Sequence, residues 1–399
     1  MGFLSEWGGT NHQSGCPGMS SPKLLDRLPL WVKVLLVFGC LYFFLVGIGS
    51  MSAAFKMMGK DYTKDLLGAG AGPLVSLFTG ILATVLVQSS STTTSIIVGL
   101  VAAGGIEFEA AVFMVMGANV GTTVTNTIVS LGHIRRSTEY RRAFAAATVH
   151  DFFNLIVLLI LFPLEVYTGI LSKGAIFATE VFQGAGGLKV ANPIKAVSKP
   201  TIELLKDVCE WFGGGGTMLA IVGVALTFLM LVMLVKVLRS IMITKLENLF
   251  DRILFKSPYR ALVIGFLLTV LVQSSSITTS VAIPLVGAGV LTIQQVLPYT
   301  MGANVGTTIT ALLAALAALA AADSGDPDAY QLGLMGVRVA FFHVLFNIVG
   351  VAMLWPVRWL PVKIATSFAR MTQWNRLIPL VYIVVTFYLI PFLVVLLGR

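Results

Sequence analysis

Charge is scarce in this chain of 399 residues. Asp, Glu, Lys and Arg together make up 11%, against 57% hydrophobic residues and a mean hydropathy of +0.91. That balance excludes an ordinary soluble domain and predicts a polytopic α-helical protein with the lipid bilayer as its solvent. Cysteine is almost absent: Cys16, Cys40 and Cys209 are odd in number and scattered, with no CxxC pair and no disulfide framework. No Asn-x-Ser/Thr acceptor occurs either. Both absences point to a prokaryotic inner membrane, the cell membrane of such an organism.

Other missing patterns narrow the function. There is no Walker motif, so ATP drive is not implied, and neither His-Glu-x-x-His nor a Gly-x-Ser-x-Gly near a His is present, so the reading is not an enzyme. The net charge is +9, yet no basic stretch is interleaved with aromatics, and nucleic acid is excluded as a partner. The surplus Lys and Arg suit cytoplasmic loops instead. Met1 to Asp26 is polar, with no apolar run before a cleavage site, and reads as a cytoplasmic tail rather than a signal peptide.

What is present is a polar octet set in apolar sequence, Gln88-Ser89-Ser90-Ser91-Thr92-Thr93-Thr94-Ser95, and it occurs twice. Gln273-Ser274-Ser275-Ser276-Ile277-Thr278-Thr279-Ser280 follows 185 positions later, and Gly117-Ala118-Asn119-Val120-Gly121-Thr122-Thr123 returns at the same offset as Gly302-Ala303-Asn304-Val305-Gly306-Thr307-Thr308. Two motifs in one register mark a duplicated structural unit. The arm Leu74 to Val87 is fourteen residues, about 21 Å as a helix, too short for a hydrocarbon core of about 30 Å. Arm, polar tip and return arm therefore read as a re-entrant hairpin whose tip faces a cavity near the midplane. Hydroxyl oxygens there suit a hard cation, and free N–H groups at the start of the return arm suit an anion. Ser and Thr also pack between membrane helices, but broken helices in matching positions of two halves are the stronger pointer to a transporter site.

The expected fold is an all-α polytopic membrane protein with two inverted-topology repeats, each containing a re-entrant helical hairpin and a broken helix. The divisions are a cytoplasmic tail (1–29), a first repeat (30–170), a polar connector (171–214), a second repeat (215–357), and a basic loop with a final transmembrane helix (358–399). Seven spans are expected, near Leu30–Phe55, Ala110–Leu131, Ala143–Tyr167, Gly215–Val235, Val296–Ala321, Val337–Trp355 and Leu377–Leu397. Three crossings per repeat invert the second relative to the first. The basic clusters Arg135 to Arg142, Lys236 to Arg260 and Arg358 to Arg376 then all fall inside, with the N-terminus, while Asp323 to Asp328 and Arg399 fall outside. His150 with Asn154, and His343 with Asn347, read as ties between helices. Asp151, an acid within a span, is a functional candidate by default.

At these residues the chain resembles the type II sodium-dependent phosphate cotransporters: Val87 to Ser91, Gly117 to Thr122, Ala147 to Asn154 and Gln273 to Ser276 carry the likeness. It extends from about Tyr42 to Pro391; the long glycosylated loop of animal members is reduced here to the connector Leu171 to Phe212, and their last span and cysteine-rich tail are missing. The resemblance implies sodium-driven uptake of inorganic phosphate by alternating access. No cofactor is implied, with sodium ions acting as co-substrate, and no oligomeric state is indicated. It places substrate at Gln88, Ser89, Ser90, Ser91, Thr92, Gln273, Ser274, Ser275, Ser276, Asn119 and Asn304, and sodium at Ser90, Thr122, Thr123, Asp151, Ser275, Thr307 and Thr308. It also implies electrogenic transport, since Ala145, Ala147 and Asp151 match the pattern of charge-moving members. A carrier of sulfate or dicarboxylates, or an anion channel with two re-entrant loops, would share the bare residue pattern.

Overall fold

The computed structural model describes residues 28–58, 72–184, 191–246, 257–322 and 327–398, and the regular elements in them are helices. The first repeat contains α1 (Leu30–Met58), a short pair α2 (Pro73–Val87) and α3 (Ser90–Ala102), α4 (Phe108–Gly121), α5 (Val124–Ser130) and α6 (Ser137–Thr168). Helices α7 (Ile170–Gly184) and α8 (Ala191–Trp211) lead to the second repeat. There, α9 (Gly215–Leu246) precedes the short pair α10 (Pro258–Val272) and α11 (Ser275–Gly287), then α12 (Ile293–Ala321) and α13 (Pro327–Leu354). The chain closes with α14 (Trp359–Arg370), α15 (Ile378–Ile383), a π-helical stretch Val384–Leu389 and α16 (Ile390–Leu397).

Among the described residues, six stretches are long and apolar enough to cross a bilayer: Leu30–Met51, Phe108–His133, Ser137–Thr168, Ile293–Ala320, Pro327–Leu354 and Ile378–Leu397. For the seventh expected span, the described apolar part of α9 is the shorter Gly215–Met230. The arms α2 and α10 have 15 residues each and α3 and α11 have 13. At 1.5 Å per residue they reach about 20 to 22 Å, less than a bilayer core. The expected tail at 1–27, and the loop residues Arg252, Lys256, Asp323 and Asp326, lie outside the described residues.

Glycine sets the packing inside each repeat. A Cβ on Gly117 would overlap Leu77 O and one on Gly80 would overlap Met114 O, so α2 and α4 touch backbone to backbone. At an offset of 185, Gly302 meets Leu262 O and Gly265 meets Tyr299 O, which joins α10 to α12 in the same way. The return arms behave differently. Arm α3 lies on α12 and α13 of the second repeat, and α11 lies on α5 and α6 of the first. Each hairpin thus leans one leg on its own repeat and the other leg on its partner.

Three expectations need correction. The Asn-x-Gly-Thr-Thr segments break only one of the two helices: α12 runs on through Asn304 to Thr308, whereas Thr122 and Thr123 interrupt the path between α4 and α5 as a tightened turn with right-handed dihedrals (φ −60°, ψ −31° and φ −73°, ψ −21°). The tightening shows in the bonds Thr123 N→Val120 O (3.3 Å) and Asn126 N→Thr123 O (3.1 Å). The threonine hydroxyls bond back to helix carbonyls, Thr122 to Ala118 O at 3.1 Å and Thr307 to Ala303 O at 3.0 Å, so the glycines serve close approach and not unwinding. The connector is not plain polar chain but carries α7 and α8. Buried Glu165 caps α7 by accepting from Leu171 N (2.8 Å) and Ser172 N (3.1 Å). Finally, the segment read as a basic loop after Arg358 contains α14, which buries Pro361, Val362, Ala365 and Ala369 on one face.

Gly117→Ala and Gly302→Ala should each lower the thermal unfolding midpoint of the purified protein in detergent, since overpacking of this kind costs about 1–3 kcal/mol. Gly39→Ala, with nothing within 4 Å of its added methyl, should leave the midpoint level or raise it.

Candidate functional site

The two tips are built alike, atom group by atom group. Gln88 (φ 58°) and Gln273 (φ 56°) are the positive-φ residues other than glycine among the described residues. A side chain in that left-handed region is strained and has to be held there. Each Gln ends an arm with its own N–H on the carbonyl of Thr84 or Thr269, both at 2.7 Å. Each also accepts at Oε1 from a threonine of the neighbouring long helix: Thr125 Oγ1 at 3.0 Å for Gln88, and Thr310 Oγ1 at 2.7 Å for Gln273. Their Nε2 groups donate to Val85 O and Val270 O. The Gln therefore turns the chain and clasps it to the long helix beside it.

The next residue caps the return arm. Ser89 Oγ accepts from Thr92 N (3.3 Å) and Ser274 Oγ accepts from Ile277 N (3.4 Å). That leaves the N–H groups of Ser90 and Ser91, and of Ser275 and Ser276, with no partner within their helices. All four serines are buried in the protein, while Gln88 and Ser89 at the first tip are half-buried. Thr84 Oγ1 and Thr269 Oγ1, again 185 apart, are buried without a hydrogen-bond partner.

From hairpin two to α13 runs a chain of amides and imidazole. Thr279 Oγ1 of α11 donates to Asn126 Oδ1 (2.9 Å), and Asn126 Nδ2 meets His150 Nδ1 (3.2 Å). His150 Nε2 reaches Asn304 Oδ1 (2.6 Å), Asn304 Nδ2 donates to Asn154 Oδ1 (2.7 Å), and Asn154 Nδ2 donates to Asn119 O (3.1 Å). Asn119 Nδ2 continues to Asn347 Oδ1 (2.9 Å), and Asn347 Nδ2 ends on His343 O (3.0 Å). An amide oxygen only accepts, so His150 carries its proton on Nε2 and accepts at Nδ1. Asn119 and Asn304, expected at the ion sites, are thus joined through Asn154. The two histidines part company here. His150 is doubly bonded, whereas neither ring nitrogen of buried His343 has a hydrogen-bond partner.

Asp151 is fully buried one residue beyond His150. Its Oδ2 accepts from Tyr382 OH (3.2 Å) and Thr127 Oγ1 (3.4 Å), and Oδ1 has no hydrogen-bond partner. Thr123, whose hydroxyl donates to Val120 O (2.9 Å), also lies against the carboxylate. The carboxylate is therefore surrounded by hydroxyl oxygens, a donor set suited to a hard monovalent cation. The second repeat has no equivalent. Counting 185 from Asn126 and Thr127 gives Ala311 and Leu312, and counting the offset of 193 that relates His150 to His343 gives Val344 opposite Asp151.

Sequence reasoning missed Thr125, Thr310, Asn126, Thr127 and Tyr382. The first two share the 185 register and were legible in principle; Tyr382 lies in the last span, outside the duplication, and nothing in the sequence ties it to Asp151.

Long apolar helices interleaved with two short polar-tipped hairpins, beside a buried chain of amides and imidazole, define a polytopic membrane transporter. The family model described as Na+/Pi-cotransporter matches residues 43–179 and 220–365, more than half of the chain. The chain belongs to that family, whose members are sodium/phosphate symporters and not enzymes. It is 33% identical to sodium-dependent phosphate transport protein 2A of Rattus norvegicus over 449 aligned positions, covering 94% of this chain and 69% of the relative. Against sodium-dependent phosphate transport protein 2B of Homo sapiens the identity is 30%, covering 90% of this chain and 64% of the relative. The chain thus spans about two thirds of the length of these relatives. No solved structure matches it.

The asymmetry between the histidines gives a stability test. His150→Leu should lower the thermal midpoint in detergent, because Asn126 and Asn304 lose buried partners at about 1–3 kcal/mol for each unsatisfied group. His343→Leu should leave the midpoint unchanged or raise it.

Proposed function

We propose that this protein couples sodium entry to uptake of inorganic phosphate across the cell inner membrane by alternating access, with net movement of charge. The observation that carries the reading is the duplicated tip: a left-handed Gln, a capping Ser and two serines with free N–H groups, occurring at Gln88–Ser91 and again at Gln273–Ser276. Helix N-termini of this kind hold an oxyanion without a cationic side chain. In this reading Gln88, Ser89, Ser90, Ser91, Thr92, Gln273, Ser274, Ser275, Ser276, Asn119 and Asn304 form the phosphate site. Sodium is held by oxygens of Ser90, Thr122, Thr123, Asp151, Ser275, Thr307 and Thr308, after movement of the closed tips. Family membership supports the substrate pair.

The two repeats lie inverted in the membrane, and the hairpins enter from opposite faces. Supporting this, the basic segments gather at one end: Arg376 Nη1 donates to Ile134 O (3.3 Å), Tyr140 OH donates to Arg376 O (3.1 Å), and Gly289 past hairpin two lies against Arg142. By the positive-inside rule that end is cytoplasmic, as is the N-terminus.

Labelled phosphate uptake into proteoliposomes should saturate, require a sodium gradient, and be inhibited by arsenate more than by sulfate or succinate. Equal uptake in potassium would remove the symport reading. Asp151 supplies the negative ligand for an extra sodium, and its lack of a counterpart in the second repeat makes that sodium single. Moving one net charge through the field is worth about 2.3 kcal/mol per 100 mV. Asp151→Gly should keep sodium-dependent uptake but lose its acceleration by an inside-negative potential; retained voltage sensitivity would remove Asp151 from this role. Tyr382→Phe deletes the hydroxyl that orients the carboxylate. It should weaken apparent sodium affinity several-fold with Asp151 present and have no further effect in the Asp151→Gly background.

A further inference from the structure

A cavity of about 320 Å³ lies apart from the hairpin tips, where α10, α12 and α14 begin. Its walls are largely apolar, with Ala261, Leu297, Val362 and the Trp359 ring among them, and Arg358 is the cation among its described lining residues. The Arg358 guanidinium lies 5.3 Å from the Trp355 ring centroid and donates once, from Nη1 to Trp355 O at 3.2 Å. A guanidinium has further N–H donors to offer. No carboxylate of the described residues pairs with Arg358, or with the exposed cations Arg260, Lys363 and Arg370 on the same helices.

The surroundings are those of a membrane surface. Trp359 and Tyr259 are exposed, and Tyr259 stacks obliquely on Trp355 at 5.1 Å, an aromatic group of the kind found at headgroup level. Helix α14 is amphipathic: its buried face packs on α6, and Lys363 and Arg370 face outward. Ser257, Gln294, Gln295 and Arg358 give the cavity a polar side that suits a phosphate, and the apolar remainder of its walls is surface that a free inorganic anion would leave uncovered. An amphiphile satisfies both halves of the cavity, with its glycerol and first methylenes against Leu297, Val362 and Trp359 and its phosphate on Arg358.

We infer that this cavity is a binding site for an anionic phospholipid of the leaflet that meets the basic end of the protein. Basic pockets between membrane helices recognise such headgroups. The site is independent of the ion chemistry at Asp151, and its test reads lipid retention rather than transport.

The full-length protein, purified in detergent and incubated with equal amounts of phosphatidylglycerol and phosphatidylcholine, is examined by native mass spectrometry. Wild type should retain phosphatidylglycerol about fivefold over phosphatidylcholine, the size expected of one cation at an anionic surface. Arg358→Gln should bring the ratio close to one, while Arg358→Lys should keep an intermediate preference. Gln294→Trp, an exposed position at the cavity that leaves Arg358 in place, should also abolish the preference by filling the space, and covers the case in which Arg358→Gln fails to fold. Equal retention of the two lipids by wild type, or an undiminished preference in folded Arg358→Gln, overturns the site. Displacement of phosphatidylglycerol by millimolar inorganic phosphate would overturn the lipid assignment by making the cavity a free-anion site.

Discussion

A chain that turns back part-way through a bilayer must satisfy its interrupted backbone inside the protein, because hydrocarbon offers no hydrogen bonds. The rest of this structure follows from that requirement. A polar side chain has to hold the turn, which is the work of Gln88 and Gln273 through Thr125 and Thr310. The long helices have to come within backbone contact to shield the arms, which is why Gly80, Gly117, Gly265 and Gly302 lie at the crossings. What remains unsatisfied at the tips is confined to a few N–H groups and hydroxyls. Those same groups are the ones that the proposed phosphate and sodium sites use.

The duplication made much of this legible. Polar octets in arms too short to span give hairpins from arithmetic alone, and the 185 register relates the clasps as well as the tips. The limits were physical. The segment after Arg358 reads as a basic loop because Arg358, Lys363, Arg370 and Arg376 dominate it, although its apolar positions 361, 362, 365 and 369 fall on one helical face. Gly-Thr-Thr reads as a helix breaker in both copies, yet only the first interrupts its helix, and the second runs on with Thr307 bonded back to Ala303 O. The contact of Tyr382 with Asp151 spans 231 residues and has no internal copy to reveal it.

Symmetry in the packing is matched by asymmetry in the chemistry. The glycine crossings and Gln turns are equivalent in both repeats, whereas the acid and its companions at Asn126, Thr127 and Asp151 are replaced by Ala311, Leu312 and Val344. The second copy keeps the buried histidine but has Ala311 in place of Asn126, and Asn119, the counterpart of Asn304, bonds Asn347 instead, so His343 sits with bare ring nitrogens where His150 is held from both sides. Duplication supplied the frame, and divergence at a few side chains within it made one half electrically distinct from the other.

The crossed seating of the return arms makes the two halves mutually dependent. Since α3 rests on the second repeat and α11 on the first, a half-length chain would expose the flank of its own hairpin to lipid with the polar tip uncovered. Each hairpin is therefore sheltered by the other half of the chain. With α7 and α8 joining the halves, that mutual cover is supplied within one molecule, and the two halves need not be identical: one carries an acid that the other lacks.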